Sequence, residues 1–96
     1  MDLLVTYDIG TATREGQRRL AKVAKICEGF GVRVQNSVFE CRLPASSVEK
    51  LKAALLEVIE NSEDSIRFYR IPGDIADCRE SLGDERRFVV GEHWIL

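Results

Sequence analysis

The sequence is poor in the residues that usually build zinc sites and disulfide frameworks. It has one histidine, three cysteines and two prolines in 96 residues. A single histidine excludes a two-histidine zinc site within one chain, and the cysteines include no C-x-x-C pair. Scattered cysteines in odd number are typical of reduced thiols buried as small apolar side chains. The sequence therefore predicts neither a zinc centre nor a disulfide-stabilised fold.

Long apolar segments are also missing. Apolar runs reach about four residues, against the roughly 20 that a membrane-spanning helix needs. The first residues lack both the basic segment and the long apolar core of a secretory signal peptide. We therefore expect a cytoplasmic protein with no membrane partner. The length predicts a single domain over residues 1–96.

Charge is nearly balanced but unevenly distributed. The chain has 14 basic and 16 acidic side chains, which gives a formal charge of −2. Residues 1–43 carry seven basic and five acidic groups, whereas residues 44–66 carry two and five. The acidic total argues against nucleic-acid binding over the whole surface. The excess of basic residues in 1–43 is still compatible with a local basic surface there.

Hydrophobic patterning predicts the element order β-α-β-β-α-β. Strands are predicted over residues 3–9, 32–35, 38–43 and 65–71. The first helix follows a cap at Thr11 or Thr13, and the second follows a capping box of Ser46 and Glu49 and ends near residues 61–62. A tight turn or a bulge at Asn36 and Ser37 joins the two middle strands, since Asn tolerates positive φ.

This order predicts a ferredoxin-like α+β fold, with both helices on one face of an antiparallel sheet. The other sheet face is then open and favours self-association into a homodimer. Residues 73–96 form a predicted β-rich C-terminal extension, with short strands over 88–90 and 93–96. We expect this extension to pack on the dimer partner.

Asp8 is the residue most informative about chemistry. Strand pleating places it on the same face as Leu4 and Thr6, at the end of the first strand. It either ends the strand and bonds the Gly10 turn, or it binds a hard divalent cation such as Mg²⁺. One carboxylate holds Mg²⁺ poorly, and no second acid is near in sequence. A twofold dimer would supply a second Asp8, and the metal could then activate water against a phosphodiester.

Basic residues of the first helix repeat at a spacing that places them along one flank. The pattern has two interpretations: a solvated helix face, or a surface that contacts phosphates and releases counterions. Without interleaved aromatic residues, such a surface would contact the backbone rather than read bases. The candidate nucleic-acid-binding residues are Arg14, Arg18, Arg19 and Lys22, accompanied by Lys25 on the helix and by Arg33 on the next strand.

Three segments together resemble the CRISPR-associated endoribonuclease family, whose small subunit works beside the CRISPR integrase. They are L-V-T-Y-D-I in the first strand, R-R-L at 18–20 and R-V-Q-N-S-V-F-E at 33–40, and R-F-Y-R-I at 67–71 also fits. The resemblance covers residues 1 to about 72, judged by the spacing of these motifs.

The resemblance implies a homodimer in which two copies of Asp8 face each other across Mg²⁺, with Mn²⁺ as the alternative metal. Asp8 would be both the catalytic residue and the metal ligand, with Tyr7 as its neighbour. Arg19 and Arg33 would assist on the phosphate side. Ser37 and Phe39 would support the site near the dimer seam.

The resemblance also implies cleavage of single-stranded RNA or double-stranded DNA, and a bridging role between integrase dimers that hold spacer DNA. Two alternatives stay open at this point. One is a non-catalytic subunit that only bridges DNA, and the other is a toxin-like ribonuclease of the same fold. The preference for RNA or DNA does not follow from the sequence.

Overall fold

The computed structural model of the chain describes residues 1–83, which form a four-stranded antiparallel sheet and two helices. In chain order the elements are β1 (Asp2–Asp8), α1 (Arg14–Glu28), β2 (Val32–Gln35), β3 (Val38–Arg42), α2 (Ala45–Val58), β4 (Ser65–Ile71) and a 3₁₀ turn over Ile75–Cys78. The strand order is β2-β3-β1-β4, and each neighbouring pair is antiparallel. The predicted ferredoxin-like α+β arrangement is confirmed.

The core lies between the helices and one face of the sheet. Leu3, Val5 and Tyr7 of β1 are buried, whereas Leu4 and Thr6 are only partly buried. This alternation is the predicted pleat, and each fully buried apolar side chain contributes about 1.5–3 kcal/mol. The remaining core residues come from the neighbouring strands and both helices: Ile9, Val23, Cys27, Phe39, Cys41, Val48, Leu51 and Leu55.

The first helix starts as predicted and the second does not. Thr13 caps α1, since its Oγ1 accepts a hydrogen bond of 3.0 Å from the Gly16 amide. The capping box predicted for α2 is wrong, because the helix already begins at Ala45, after Pro44, and no side chain caps it. Ser46 therefore lies inside the first turn rather than before it. The helix ends at Val58, about three residues earlier than predicted.

A close approach between α1 and the loop after β1 requires glycine. Gly16 is buried, and a Cβ there would collide with the carbonyl oxygen of Gly10. An alanine at this position would force the helix away from the loop. The missing side chain thus lets α1 pack directly against the segment that follows Asp8.

A two-residue turn at Asn36 and Ser37 joins β2 and β3 as predicted, but without the positive φ at Asn36. Positive φ values occur only at Gly73 and Gly83 within residues 1–83, so Asn36 does not adopt one. The pairing of β2 with β3 instead shifts register between Arg33 and Gln35. An irregular pairing of this kind bends a strand without a left-handed residue.

The cysteines fall into two groups. Cys27 and Cys41 are buried as predicted, and burial raises the pKa of their thiols to about 12 and about 11. Such thiols are unreactive at neutral pH. Cys78 departs from the prediction, because it is exposed in the 3₁₀ turn.

The chain after β4 begins with that 3₁₀ turn, which the sequence pattern did not predict. The expected strands over 88–90 and 93–96, and most of the predicted extension, lie outside the described residues. Neither α1 nor α2 has the length and apolar character needed to cross a membrane.

Candidate metal site and nucleic-acid interface

Asp8 ends β1 on the sheet face opposite the helices. Its side chain is exposed and opens into a shallow depression of about 260 Å³. The depression is lined by residues of β1 and β4: Thr6, Tyr7, Asp8, Ser65, Arg67 and Tyr69. In the sheet, Asp8 is paired with Ser65, and Thr6 with Arg67. The edge of the depression therefore combines one carboxylate with hydroxyl groups and a guanidinium.

The carboxylate of Asp8 has no structural task in the described part of the chain. No hydrogen bond or ion pair joins it to another of residues 1–83. The Gly10 amide, which was one expected partner, donates instead to Asp64 Oδ1 at 3.0 Å. Asp64 thus performs the turn-stabilising role that the sequence had left open for Asp8. The Asp8 carboxylate is left available for a ligand.

Tyr7 anchors the end of β1 from inside the protein. Its amide donates to the carbonyl of Ser37 at 3.1 Å, and its hydroxyl donates to the carbonyl of Asn36 at 3.2 Å. Its ring stacks on Phe39 with 6.2 Å between centroids, and burial raises the pKa of its phenol. Phe39 is fully buried on the core side of the sheet, so it can support the Asp8 face only through Tyr7. That Ser37 and Phe39 support the site near a dimer interface stays a prediction.

The structure gives Arg19 a different partner from the expected phosphate. Its Nε donates to Asp64 Oδ2 at 2.7 Å, and its Nη2 donates to Asp64 Oδ1 at 3.3 Å. The Arg19 side chain is 15% exposed, and that of Asp64 is completely buried. A guanidinium held in this bidentate way has little freedom to follow a nucleic-acid backbone.

Arg33 is also engaged within the protein. Its guanidinium lies over the Phe39 ring, 5.3 Å from the centroid, and its Nη2 is 3.5 Å from the carboxylate of Glu28. Its Nε is buried without a hydrogen-bond partner. The side chain therefore lies against the core at the β2 edge, and its predicted contact with phosphate stays a prediction.

The other basic residues of α1 remain exposed. Arg14, Arg18, Lys22 and Lys25 have no ion pair with any residue in the range 1–83. At 3.6 residues per turn they fall within about 80° of the helix circumference. We call these four residues the basic flank. It extends over about 17 Å of the helix axis.

The donor set around Asp8 fits a hard divalent cation. Beside the Arg67 guanidinium, the lining offers the Asp8 carboxylate and several hydroxyl groups, and oxygen is the ligand atom that Mg²⁺ prefers. No group of three or more His, Cys, Asp or Glu side chains suited to a metal occurs in residues 1–83. One protomer thus offers a single charged ligand. A cation here would keep several waters or take further oxygens from a second copy or from a phosphate.

A family model describes most of the chain. The model for the CRISPR-associated protein Cas2 matches residues 1–76, which contain β1 to β4, Asp8 and the basic flank. The chain belongs to the Cas2 family.

Individual Cas2 proteins agree with this assignment. The CRISPR-associated endoribonuclease Cas2 1 of Moorella thermoacetica is 49% identical over 71 residues, which is 74% of each chain. The CRISPR-associated endonuclease Cas2 of Halalkalibacterium halodurans is 42% identical over 83 residues, or 86% of each chain. The crystal structure of Streptococcus pyogenes Cas2 at pH 6.5 is 44% identical and superposes with a TM-score of 0.79, covering 86% of this chain and all of that one.

Three residues of this Cas2 site were not found from the sequence. Asp64 had no visible signal, because its partners Arg19 and Gly10 are 45 and 54 residues away. Arg67 and Tyr69 were not among the candidate site residues. In the structure they lie beside Asp8 on the open face, and Arg67 Nη1 donates to the Tyr69 hydroxyl at 3.2 Å. Their position follows only from the pairing of β1 with β4.

Two buried acids make the stability of the protein depend on pH: Asp2 at the start of β1, and Asp64 just before β4. Hydrogen bonds from Arg42 and from the Ile75 amide lower the pKa of Asp2. Burial alone would raise the pKa of Asp64, but the donors Arg19, Glu60 and Gly10 outweigh it and lower the pKa.

Both carboxyls have a folded-state pKa below the unfolded value of about 3.9. Their contribution is therefore complete above that value and is lost as the pH falls towards the folded pKa. We expect the urea midpoint of unfolding to drop between pH 6 and pH 3. In Asp2→Asn plus Asp64→Asn the drop should be much smaller, and an unchanged pH dependence in that variant would contradict the assignment.

Proposed function

We propose that the chain is a homodimeric, Mg²⁺-dependent endonuclease of CRISPR adaptation, with Mn²⁺ able to replace Mg²⁺. The observation that carries the proposal is the exposed Asp8 carboxylate, which has no partner among residues 1–83 and lies in a depression together with hydroxyl groups and the Arg67 guanidinium. The names of two relatives, an endoribonuclease and an endonuclease, support the same chemistry. The substrate class is a nucleic-acid phosphodiester, in single-stranded RNA or double-stranded DNA.

Each side chain of the depression has a role that follows from its chemistry. Asp8 would hold the cation, together with Asp8 of a second copy related by a twofold axis. When bound, Mg²⁺ supplies charge neutralisation of the phosphodiester and a more acidic water. Arg67, fixed by its hydrogen bond to Tyr69, would bind a phosphate oxygen next to the cation. The Ser65 and Thr6 hydroxyls can donate to the same phosphate group or to its waters.

The dimer is the part of the proposal that completes the metal site. A lone carboxylate binds Mg²⁺ weakly, and Asp8 lies at a sheet face that the helices leave uncovered. Partly apolar side chains on that face, such as Leu4 and the 45%-exposed Tyr69, favour association. Two Asp8 carboxylates that approach each other repel, and a cation between them offsets that repulsion.

A second role is favoured by the basic flank. Its cations need no metal to bind a nucleic-acid backbone, and they line a helix that faces away from the Asp8 depression. This arrangement suits a subunit that bridges integrase dimers and holds spacer DNA, with or without cleavage. The match to a CRISPR-associated family favours both roles in adaptation over the toxin-like ribonuclease.

Removal of the metal tests the endonuclease directly. Purified protein, freed of metal with EDTA and dialysed, is incubated with 5′-labelled single-stranded RNA and with duplex DNA. We expect no cleavage in EDTA and cleavage of at least one substrate after Mg²⁺ or Mn²⁺ is restored, because the cation supplies the charge neutralisation. Cleavage at the same rate with and without metal would contradict the proposal. So would the absence of cleavage of both substrates at saturating Mg²⁺.

A further inference from the structure

The carboxylate of Asp64 is the most completely satisfied acid in the described chain. It is fully buried, just before β4, and accepts four hydrogen bonds. Two come from the Arg19 guanidinium, one from the Gly10 amide at 3.0 Å, and one from the Glu60 amide at 2.8 Å. One buried side chain thus ties together α1, the loop after β1 and the loop after α2.

These contacts hold the two backbone segments next to Asp8. Gly10 follows Asp8 by two residues, and its carbonyl also accepts a hydrogen bond of 3.5 Å from Arg19 Nη2. Ser65, the residue after Asp64, is the β4 partner of Asp8 in the sheet. The chain after Asp8 and the strand beside it are therefore held by the same ion pair.

We propose that Asp64 and Arg19 are positioning residues for Asp8. The buried pair fixes the backbone at the end of β1, so that the Asp8 carboxylate points into the depression before a cation arrives. This inference rests on the proposed function, since it assumes that Asp8 binds the metal. Outer residues that orient a metal ligand typically change metal affinity or activity about 10–100-fold when they are mutated. Arg19 then acts through Asp64 and does not contact phosphate.

The chain supplies a matched control at the other end of β1. Asp2 is buried, and it accepts hydrogen bonds of 2.8 and 2.9 Å from Arg42 and of 2.8 Å from the Ile75 amide. It is likewise a buried carboxylate held by an arginine and a backbone amide, although the Arg42 side chain is 65% exposed. At about 3.3 Å per residue, it lies roughly 20 Å from Asp8. Asp2→Asn should lower stability without affecting the metal site.

The experiment measures Mn²⁺ affinity of the full chain from the electron paramagnetic resonance signal of free Mn²⁺, without nucleic acid. The variants are Asp64→Asn, Arg19→Gln, Arg19→Lys and Asp2→Asn, with Asp8→Ala to define the site. We expect Mn²⁺ affinity to fall about tenfold or more in Asp64→Asn and Arg19→Gln, and to stay at the wild-type value in Asp2→Asn. Arg19→Lys keeps the charge and loses the bidentate geometry, so it should show an intermediate loss while remaining folded.

The direction of the Arg19 effect separates positioning from electrostatics. Through charge alone, the loss of a cation near the site would raise Mn²⁺ affinity, whereas the loss of the Asp64 carboxylate would lower it. Positioning lowers affinity in both variants. Cleavage assays add a second readout: kcat should fall with little change in KM for whichever nucleic acid the wild-type chain cleaves. A raised KM would instead mean that Arg19 contacts phosphate.

The outcomes distinguish the two proposals. If wild-type protein binds Mn²⁺ through Asp8 and the Asp64 and Arg19 variants bind it equally well, the inference is wrong and the proposed function stands. Higher affinity in Arg19→Gln, or an equal loss in Asp2→Asn, also overturns the inference. If Mn²⁺ binding does not depend on Asp8 even in the wild-type chain, both proposals fail.

Discussion

Asp8→Asn is expected to abolish metal-dependent cleavage. The asparagine keeps the shape and one neutral oxygen but removes the negative charge that holds the cation, so the transition state loses about 4 kcal/mol or more. That loss corresponds to about a 1,000-fold lower rate. The measurement is single-turnover cleavage of labelled RNA or DNA at saturating Mg²⁺. Since the Asp8 carboxylate has no partner among residues 1–83, the fold should tolerate the change.

Two controls make this result specific. Asp77→Asn removes the same charge from another exposed site, in the 3₁₀ turn, and should leave the rate unchanged. Thermal unfolding and the oligomeric state of Asp8→Asn should match those of the wild-type chain. A folded, dimeric Asp8→Asn protein that cleaves at the wild-type rate would show that Asp8 is not the catalytic metal ligand.

Neutralising the basic flank is expected to weaken nucleic-acid binding even when no metal is present. The triple variant Arg14→Gln, Arg18→Gln, Lys22→Gln removes three exposed cations of α1. If each contacts one duplex phosphate, the salt-dependence slope of log K falls by about 2.7, and affinity at 0.1 M salt falls about 100-fold. The measurement is fluorescence anisotropy of labelled duplex DNA in EDTA over a range of NaCl concentrations, so that cleavage does not interfere.

The matched control compares two single lysines. Lys22 on α1 and Lys50 on α2 are both exposed, but only Lys22 belongs to the basic flank. Lys22→Gln should reduce the salt slope by about 0.9, and Lys50→Gln should leave it unchanged. Equal slopes for the wild-type chain and the triple variant would mean that the flank is a solvated helix face. The bridging role would then lose its structural support.

The fold was predictable because local patterns and tertiary packing agree. The continuous β-branched and aromatic character of β1 and the i, i+3, i+4 stripe of α1 each point to the element that forms. The alternation along β1 also placed Asp8 and Thr6 on one face, which the structure identifies as the open one. Where prediction failed, competing local signals existed. Ser46 and Glu49 form a good capping box, but α2 starts two residues earlier than this box implies, directly after Pro44.

The candidate site was predictable only in part. Asp8 is visible because a carboxylate at the end of an apolar strand is chemically unusual. The partners that support it are not visible, because the contacts between Asp64 and Arg19 join residues 45 positions apart. Helix spacing grouped Arg19 with the basic flank. It gave no sign that this side chain turns inward to a buried acid.

The measurement that tests the central claim most directly is the stoichiometry of Mn²⁺ binding. A calorimetric titration of the full chain, with its oligomeric state measured in the same buffer by light scattering, compares the wild-type protein with Asp8→Asn. Two copies of Asp8 sharing one cation predict one Mn²⁺ per two chains in a dimer, and no such binding in Asp8→Asn. Saturation at one Mn²⁺ per chain, binding that survives Asp8→Asn, or a monomer that binds equally well would contradict the account.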